Sequence, residues 1–221
     1  MTKKAVDTLS KNKKGFFLMV EAGEVDWAAH INDAATTLRE MLEAEETLTY
    51  LKEWTDKHPN TLLIVTADHD TGGFGFNYRK MTKEEKEYKM DAGYVQGKYD
   101  YISPENLDKL LEQKASFYVL GNQFKALPKN QQTPQKAREF INKNLGLNLT
   151  LDQLGLEENQ KDFSIEKALK KASESLGIVW NTTSHTSSPL LAIFYGAQVD
   201  APNIMHNTQI AQIIREFLNE K

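Results

Sequence analysis

Carboxylates and histidines occur together in short stretches of this 221-residue sequence, at spacings suited to binding a metal ion. In the first stretch Asp26 and His30 are four residues apart. A helix that begins near Asp26 would place both side chains on one face, one turn apart. Glu21 precedes them, directly after the apolar run 16–20. Carboxylate oxygens and imidazole nitrogens are common ligands of divalent metals, so this stretch predicts a metal site.

Two later stretches repeat the pattern. Asp68 and His69 follow the apolar run TLLIVT, and His185 lies in a polar loop that precedes the apolar run 190–195, which we interpret as a further buried strand. The remaining histidines have other surroundings: we expect His58, which precedes a proline, on the surface, and we assign His206 a structural role.

The apolar runs predict the elements that position these residues. Residues 16–20 and 61–66 are each too short for a helix core and are interpreted as buried strands, the second of them parallel. A helical period spans residues 31–57, so the three segments together predict a strand–helix–strand unit. Ligands of such folds lie at the carboxyl ends of the strands, where both strands would deliver side chains to one edge of the sheet.

The fold class predicted is therefore α/β. Residues 1–77 and 177–221 are interpreted as an α/β metal-binding core. Residues 78–176 contain no histidine, and their helix-start signals at Pro104, Pro134 and Ser164 indicate a mostly helical insertion. A further amphipathic helix is predicted from Asn207, and another at the N-terminus.

Composition excludes several function classes. The formal net charge of −4 with a pI near 5.8 gives no reason to expect a nucleic-acid partner. There is no cysteine, so any zinc must be held by histidines and carboxylates. No apolar run approaches the length of a membrane span, which argues against a membrane partner. The N-terminus lacks the apolar core of a signal peptide.

The motifs VEAGEVDWAAH and TADHDTGG, followed by a late His-Thr before an apolar strand, resemble the C-terminal part of alkaline phosphatases. The resemblance covers roughly residues 16–77 and 177 to the end. It implies part of a three-layer α/β/α sandwich that binds zinc and magnesium. It also implies ligand sets: a first zinc bound by Asp26, His30 and His185, a second zinc that receives Asp68 and His69, and a magnesium bound by Glu21.

The resemblance further implies hydrolysis of phosphate monoesters through a phosphoserine intermediate. It places the full-length protein in the periplasm or outside the cell, as a homodimer. Several relatives carry Lys or His at the position of Trp27. An indole cannot supply that positive charge to bound phosphate.

The family's nucleophilic serine, in an Asp-Ser-Ala type motif, has no counterpart here, so no catalytic residue is assigned. We expect this chain to be the C-terminal segment of a longer phosphatase and to be inactive when isolated. An alternative is a stand-alone, non-catalytic module of the same fold that binds zinc, phosphate or a partner protein. Another two-metal member of the superfamily, such as a phosphodiesterase or a mutase, is a third reading.

Overall fold

A computed structural model describes residues 1–76, 79–80, 99–100 and 104–219 of the chain. Parts of the predicted insertion, residues 78, 81–98 and 101–103, therefore lie outside the described residues. The α-helices are Thr2–Leu9, Gly23–His30, Ala34–Asp56, Pro104–Leu111, Phe117–Lys125, Pro134–Leu145, Ile165–Glu174 and Asn207–Asn219, with short 3₁₀ turns at Lys129–Gln131 and Asp152–Leu154. The strands are Leu62–Val65, Asp70–Thr71, Phe74–Phe76, Arg79–Lys80, Tyr99–Asp100, Ile178–Trp180, His185–Thr186 and Ile193–Gly196.

Two helices of the predicted insertion begin where the sequence predicts, because the expected capping residues are present. The Thr133 side chain accepts a hydrogen bond from the Lys136 N–H at 3.2 Å, and Ser164 does the same for Lys167. Pro134 occupies the first turn, where a missing N–H costs nothing. The helix starts predicted at Pro104, Pro134 and Ser164 are confirmed.

The described residues form two compact units. The first unit comprises Met1–Ala22, Met41–Asp70 and Thr186–Lys221, and the second unit comprises Gly23–Glu40 and Thr71–His185. The division into a core and an insertion at residues 78–176 stays a prediction. No helix in the described part of the chain is long and apolar enough to cross a bilayer.

The second unit has a well-packed core. The apolar faces of helices Phe117–Lys125, Pro134–Leu145 and Ile165–Glu174 bury Leu120, Ile141, Leu154 and Leu169, each at most 1% exposed. Beside this cluster, Ile178 and its neighbours pack against Ala34 and Ala35 at the start of helix Ala34–Asp56. Burial of this apolar surface supplies the main driving force for folding of this unit.

A buried carboxylate, Asp33, joins the starts of two helices within the second unit. Asp33 is 0% exposed. Its two oxygens accept hydrogen bonds from the Thr36 N–H and hydroxyl, from the Gln113 amide at 2.8 Å and from the Phe117 N–H at 2.6 Å. One side chain therefore caps helix Ala34–Asp56 and satisfies a donor in the first turn of helix Phe117–Lys125.

The first unit contains an antiparallel strand pair, Leu62–Val65 with Ile193–Gly196, in which Leu62 lies opposite Gly196. The prediction of a buried, parallel strand at 61–66 was wrong on both points. Residues 16–20, the expected parallel neighbour, do not form a strand. The partner is instead strand Ile193–Gly196, which runs in the opposite direction. All four residues of Leu62–Val65 are only half-buried.

The prediction of buried strands at 16–20 and 190–195 also needs correction. Phe17 and Met19 are 60% and 78% exposed, and Leu191 is 77% exposed. Only Ile193–Gly196 within the second segment pairs with another strand. An apolar run shows only that its side chains favour burial. Among the described residues, no neighbouring strand covers residues 16–20.

The first unit also holds a surface charge network. The Tyr195 hydroxyl donates to one Asp56 oxygen at 2.5 Å, and the Lys52 ammonium donates to the other at 2.9 Å. The Tyr195 hydrogen bond, aided by Lys52, lowers the pKa of Asp56. This network connects the end of helix Ala34–Asp56 to strand Ile193–Gly196.

We predict that Asp33→Asn lowers the free energy of unfolding by about 2–3 kcal/mol, because an amide cannot accept all four hydrogen bonds and leaves buried donors unsatisfied. Denaturant unfolding of the purified chain measures this. The matched control is Asp108→Asn, at an exposed position of helix Pro104–Leu111, for which a change within about 0.5 kcal/mol is expected. Equal losses in the two variants would contradict a special role for Asp33.

We predict that Tyr195→Phe raises the pKa of Asp56 toward its ordinary value, since the hydroxyl donor favours the charged carboxylate. A carboxyl whose pKa is lowered by folding stabilises the folded state above its ordinary pKa. That contribution is lost as the pH falls through the pKa of the folded state. Titration of the Asp56 carboxyl signal by NMR measures the shift, with Tyr118→Phe, at a 70% exposed position, as control. An unchanged Asp56 titration would refute the assignment.

Candidate metal centre

The site begins with the two residues of helix Gly23–His30 that the sequence pairs. The carboxylates of Glu24 and Asp26 lie in its first turn, where they complement the positive end of the helix dipole. Asp26 Oδ2 lies 3.4 Å from His30 Nε2, one turn further along. The predicted placement of Asp26 and His30 on one helix face is confirmed, with the helix starting at Gly23, three residues earlier than expected.

His185 completes the cluster. Its Nε2 lies 3.2 Å from the Nε2 of His30, and the two rings are 5.0 Å apart between centroids. One ligand atom of His185 also lies within 4.8 Å of one of Asp26. All three residues belong to the second unit, which brings together side chains from distant parts of the sequence.

Two threonines orient these ligands. His30 Nδ1 lies 2.7 Å from the Thr183 carbonyl oxygen, which can only accept, so Nδ1 carries the proton. In the neutral ring the lone pair is then on Nε2, the atom that faces Asp26 and His185. The Thr71 hydroxyl donates to Asp26 Oδ1 at 2.5 Å, which leaves Oδ2 directed toward His30.

Gly72 fixes the loop that carries Thr183 and His185. Its N–H donates to the Ser184 carbonyl at 3.0 Å, while its own carbonyl accepts from the N–H groups of Asn181 and Thr182. Its φ is +82°, and an added Cβ would lie 2.5 Å from the Trp180 ring. Glycine is required here both for the left-handed backbone and for the close approach of the indole.

The chemistry of this donor set fits a divalent metal ion. Two imidazole nitrogens and a carboxylate oxygen converge, and one histidine donates its second ring N–H to a backbone carbonyl, as metal-ligating histidines commonly do. The side chains of Asp26 and His30 are 34% and 36% exposed. These two candidate ligands are therefore accessible to an ion from solvent.

The other predicted ligands belong to the first unit. His69 Nε2 lies 3.1 Å from Asp68 Oδ2, and the side chain of Asp68 is 87% exposed. Glu21 is exposed in the coil that precedes helix Gly23–His30. Because residues 16–20 form no strand, Glu21 does not end one. The roles of all three as ligands stay predictions.

Thr71 and Thr183 are site residues that the sequence did not single out. Thr71 lies in the TADHDTGG motif, close in sequence to the predicted ligands Asp68 and His69, and this position could have identified it. Thr183 contributes a backbone carbonyl, for which the residue type carries no information.

Sequence comparison finds relatives that match only part of this chain. Alkaline phosphatase 4 of Bacillus subtilis is 50% identical over 74 residues, which are 34% of this chain and 16% of that protein. Alkaline phosphatase of Escherichia coli is 44% identical over 69 residues, 31% of this chain and 15% of that protein.

Solved structures match over nearly the whole chain. The alkaline phosphatase of Thermus thermophilus superposes with a TM-score of 0.72 at 24% identity, covering 100% of this chain and 47% of that one. The cold-active enzyme of a psychrophilic Shewanella gives a TM-score of 0.66 at 28% identity, covering 98% of this chain and 49% of that one. This chain thus spans about half the length of the structures it matches. The likeness confirms the α/β fold class.

The family model for alkaline phosphatase matches residues 1–219, almost the entire chain. The match includes all the residues described above as the candidate metal centre. This chain belongs to the alkaline phosphatase family.

Proposed function

We propose that this chain is the C-terminal, metal-binding segment of a phosphate monoester hydrolase, and that Asp26, His30 and His185 bind its first zinc ion. The observation that carries the proposal is the convergence of the His30 and His185 Nε2 atoms, 3.2 Å apart, with Asp26 Oδ2 3.4 Å from the former. Two imidazole nitrogens and one carboxylate form a three-ligand set typical of catalytic zinc.

Each surrounding group has a defined part in this proposal. The Thr183 carbonyl retains the Nδ1 proton of His30, so that Nε2 is available as a ligand without deprotonation. The Thr71 hydroxyl holds Asp26 Oδ1 and thereby fixes the direction of Oδ2. When bound, zinc supplies Lewis-acid stabilisation of an oxygen and lowers the pKa of a bound water.

A second zinc ion and a magnesium ion are also part of the proposed site. We assign Asp68 and His69 to a second zinc and Glu21 to magnesium, which prefers carboxylate oxygen. The resemblance of the surrounding motifs to alkaline phosphatases supports these roles. Two metals a few ångströms apart suit the in-line displacement of a phosphoryl group.

The reaction proposed is hydrolysis of phosphate monoesters by the full-length protein, as a homodimer outside the cytoplasm. Family membership supports this assignment. Since no serine of this chain matches the family's nucleophile motif, we propose that the nucleophile comes from outside the chain and that the isolated chain does not turn over substrate.

We predict that the purified chain binds about one zinc ion tightly, because only the first site has three protein ligands in this chain. In His185→Ala this ion is lost, since two protein ligands hold zinc far more weakly than three. Elemental analysis after dialysis against zinc-containing buffer measures the stoichiometry. The same samples, with zinc and magnesium added, are assayed for hydrolysis of p-nitrophenyl phosphate at alkaline pH, and no turnover is expected.

The matched control is His206→Ala. His206 is exposed and its ring contacts the Thr208 hydroxyl in the first turn of helix Asn207–Asn219, so this variant retains the zinc. Equal zinc content in wild type and His185→Ala would contradict the ligand assignment. Turnover by the isolated chain would contradict an external nucleophile.

A further inference from the structure

Asn32 lies two residues after His30, in the turn that ends helix Gly23–His30. Its φ of 57° is the one positive φ of a non-glycine residue in the part of the chain that the structure describes. Its N–H donates to the Ala29 carbonyl at 2.9 Å, and the residue is 8% exposed. Asparagine tolerates this backbone conformation because its short polar side chain forms local hydrogen bonds.

The Asn32 side chain faces two carbonyl groups. With the amide oriented to satisfy them, its nitrogen donates to Ala29 O at 3.0 Å and to Thr182 O at 3.1 Å. An amide nitrogen has two hydrogens, so both bonds form together. The first bond closes the helix end, and the second reaches the loop that carries His185.

Two consecutive carbonyls of that loop therefore accept hydrogen bonds from side chains at the end of the helix. Thr182 O accepts from Asn32, and Thr183 O accepts from His30 Nδ1 at 2.7 Å. A shift of Thr182 would move the acceptor that orients His30 and would also move His185, three residues along. Gly72 holds the same loop through its own backbone, by hydrogen bonds with Asn181, Thr182 and Ser184.

We infer that Asn32 is a positioning residue for the metal centre: its amide holds the loop of Thr182 against the end of helix Gly23–His30, so that His30 and His185 converge. The metal in this inference rests on the proposed function. The hydrogen bonds and the orientation of His30 do not depend on it.

The backbone of Asn32 also ends the helix by itself, through its positive φ and the N–H bond to the Ala29 carbonyl. Glycine adopts a positive φ at no steric cost. The Asn32→Gly variant thus keeps this backbone turn and removes both side-chain bonds, to Ala29 O and to Thr182 O.

We predict that Asn32→Gly weakens zinc binding by about 10–100-fold, the usual effect of removing a group that orients metal ligands. Competition with a chromophoric chelator measures the dissociation constant for zinc of the full 221-residue chain. Cobalt(II) in place of zinc gives a second readout: its visible absorption bands lose intensity when the ligands no longer hold a four-coordinate geometry. Circular dichroism verifies that the variant is folded.

The control is Asn181→Ala, which removes an exposed amide from the same loop. Its dissociation constant for zinc is expected to stay within about twofold of the wild-type value. The inference is overturned if folded Asn32→Gly binds zinc as tightly as wild type and its cobalt spectrum is unchanged.

The ring nitrogen signals of His30 in the metal-free chain distinguish the inference from the proposed function. Wild type should show a single tautomer protonated at Nδ1, and Asn32→Gly a mixture of tautomers. If wild type bound no zinc but this difference were seen, the proposed function would fail while the positioning role of Asn32 would stand. Identical tautomers in both proteins would overturn that role.

Discussion

A hydrogen bond between His30 Nδ1 and the Thr183 carbonyl joins residues 153 positions apart in the sequence, and the candidate metal centre depends on it. The bond sets which nitrogen of His30 carries the lone pair. It also places the loop of His185 beside the helix of Asp26. Without it the segment of His185 would have no fixed position beside the helix that carries Asp26 and His30, and no site for an ion would be preformed.

The second unit is built so that this bond is held from several directions. On one side Gly72 accepts and donates three backbone hydrogen bonds with the loop. On the other side the turn after His30 is fixed by Asp33, whose carboxylate is fully buried and fully hydrogen-bonded. The helical core of the second unit packs against that turn. The geometry of the candidate ligands is therefore a product of buried polar groups supported by an apolar core, and the candidate ligands themselves stay open to solvent.

The sequence predicted local helical features around the candidate site better than the strand framework. The pairing of Asp26 with His30 follows from helical periodicity, and the helix starts at Thr133 and Ser164 follow from capping, so both were predictable. Strand partners were not, since an apolar run such as 61–66 states that its residues favour burial but not which strand covers them or in which direction. Nor could sequence identify Thr183, because its contribution is a backbone carbonyl. Asn32 was included in the predicted helical period 31–57, whereas the structure places it in the turn before helix Ala34–Asp56.

The most direct test of this account is the position of the zinc ion itself. Anomalous diffraction at the zinc absorption edge, from crystals of the zinc-loaded chain, locates the ion independently of any assay. If these three residues bind zinc, one strong peak is expected about 2.0–2.2 Å from His30 Nε2, a His185 ring nitrogen and an Asp26 carboxylate oxygen. A strong peak elsewhere, with none between these three residues, would contradict it.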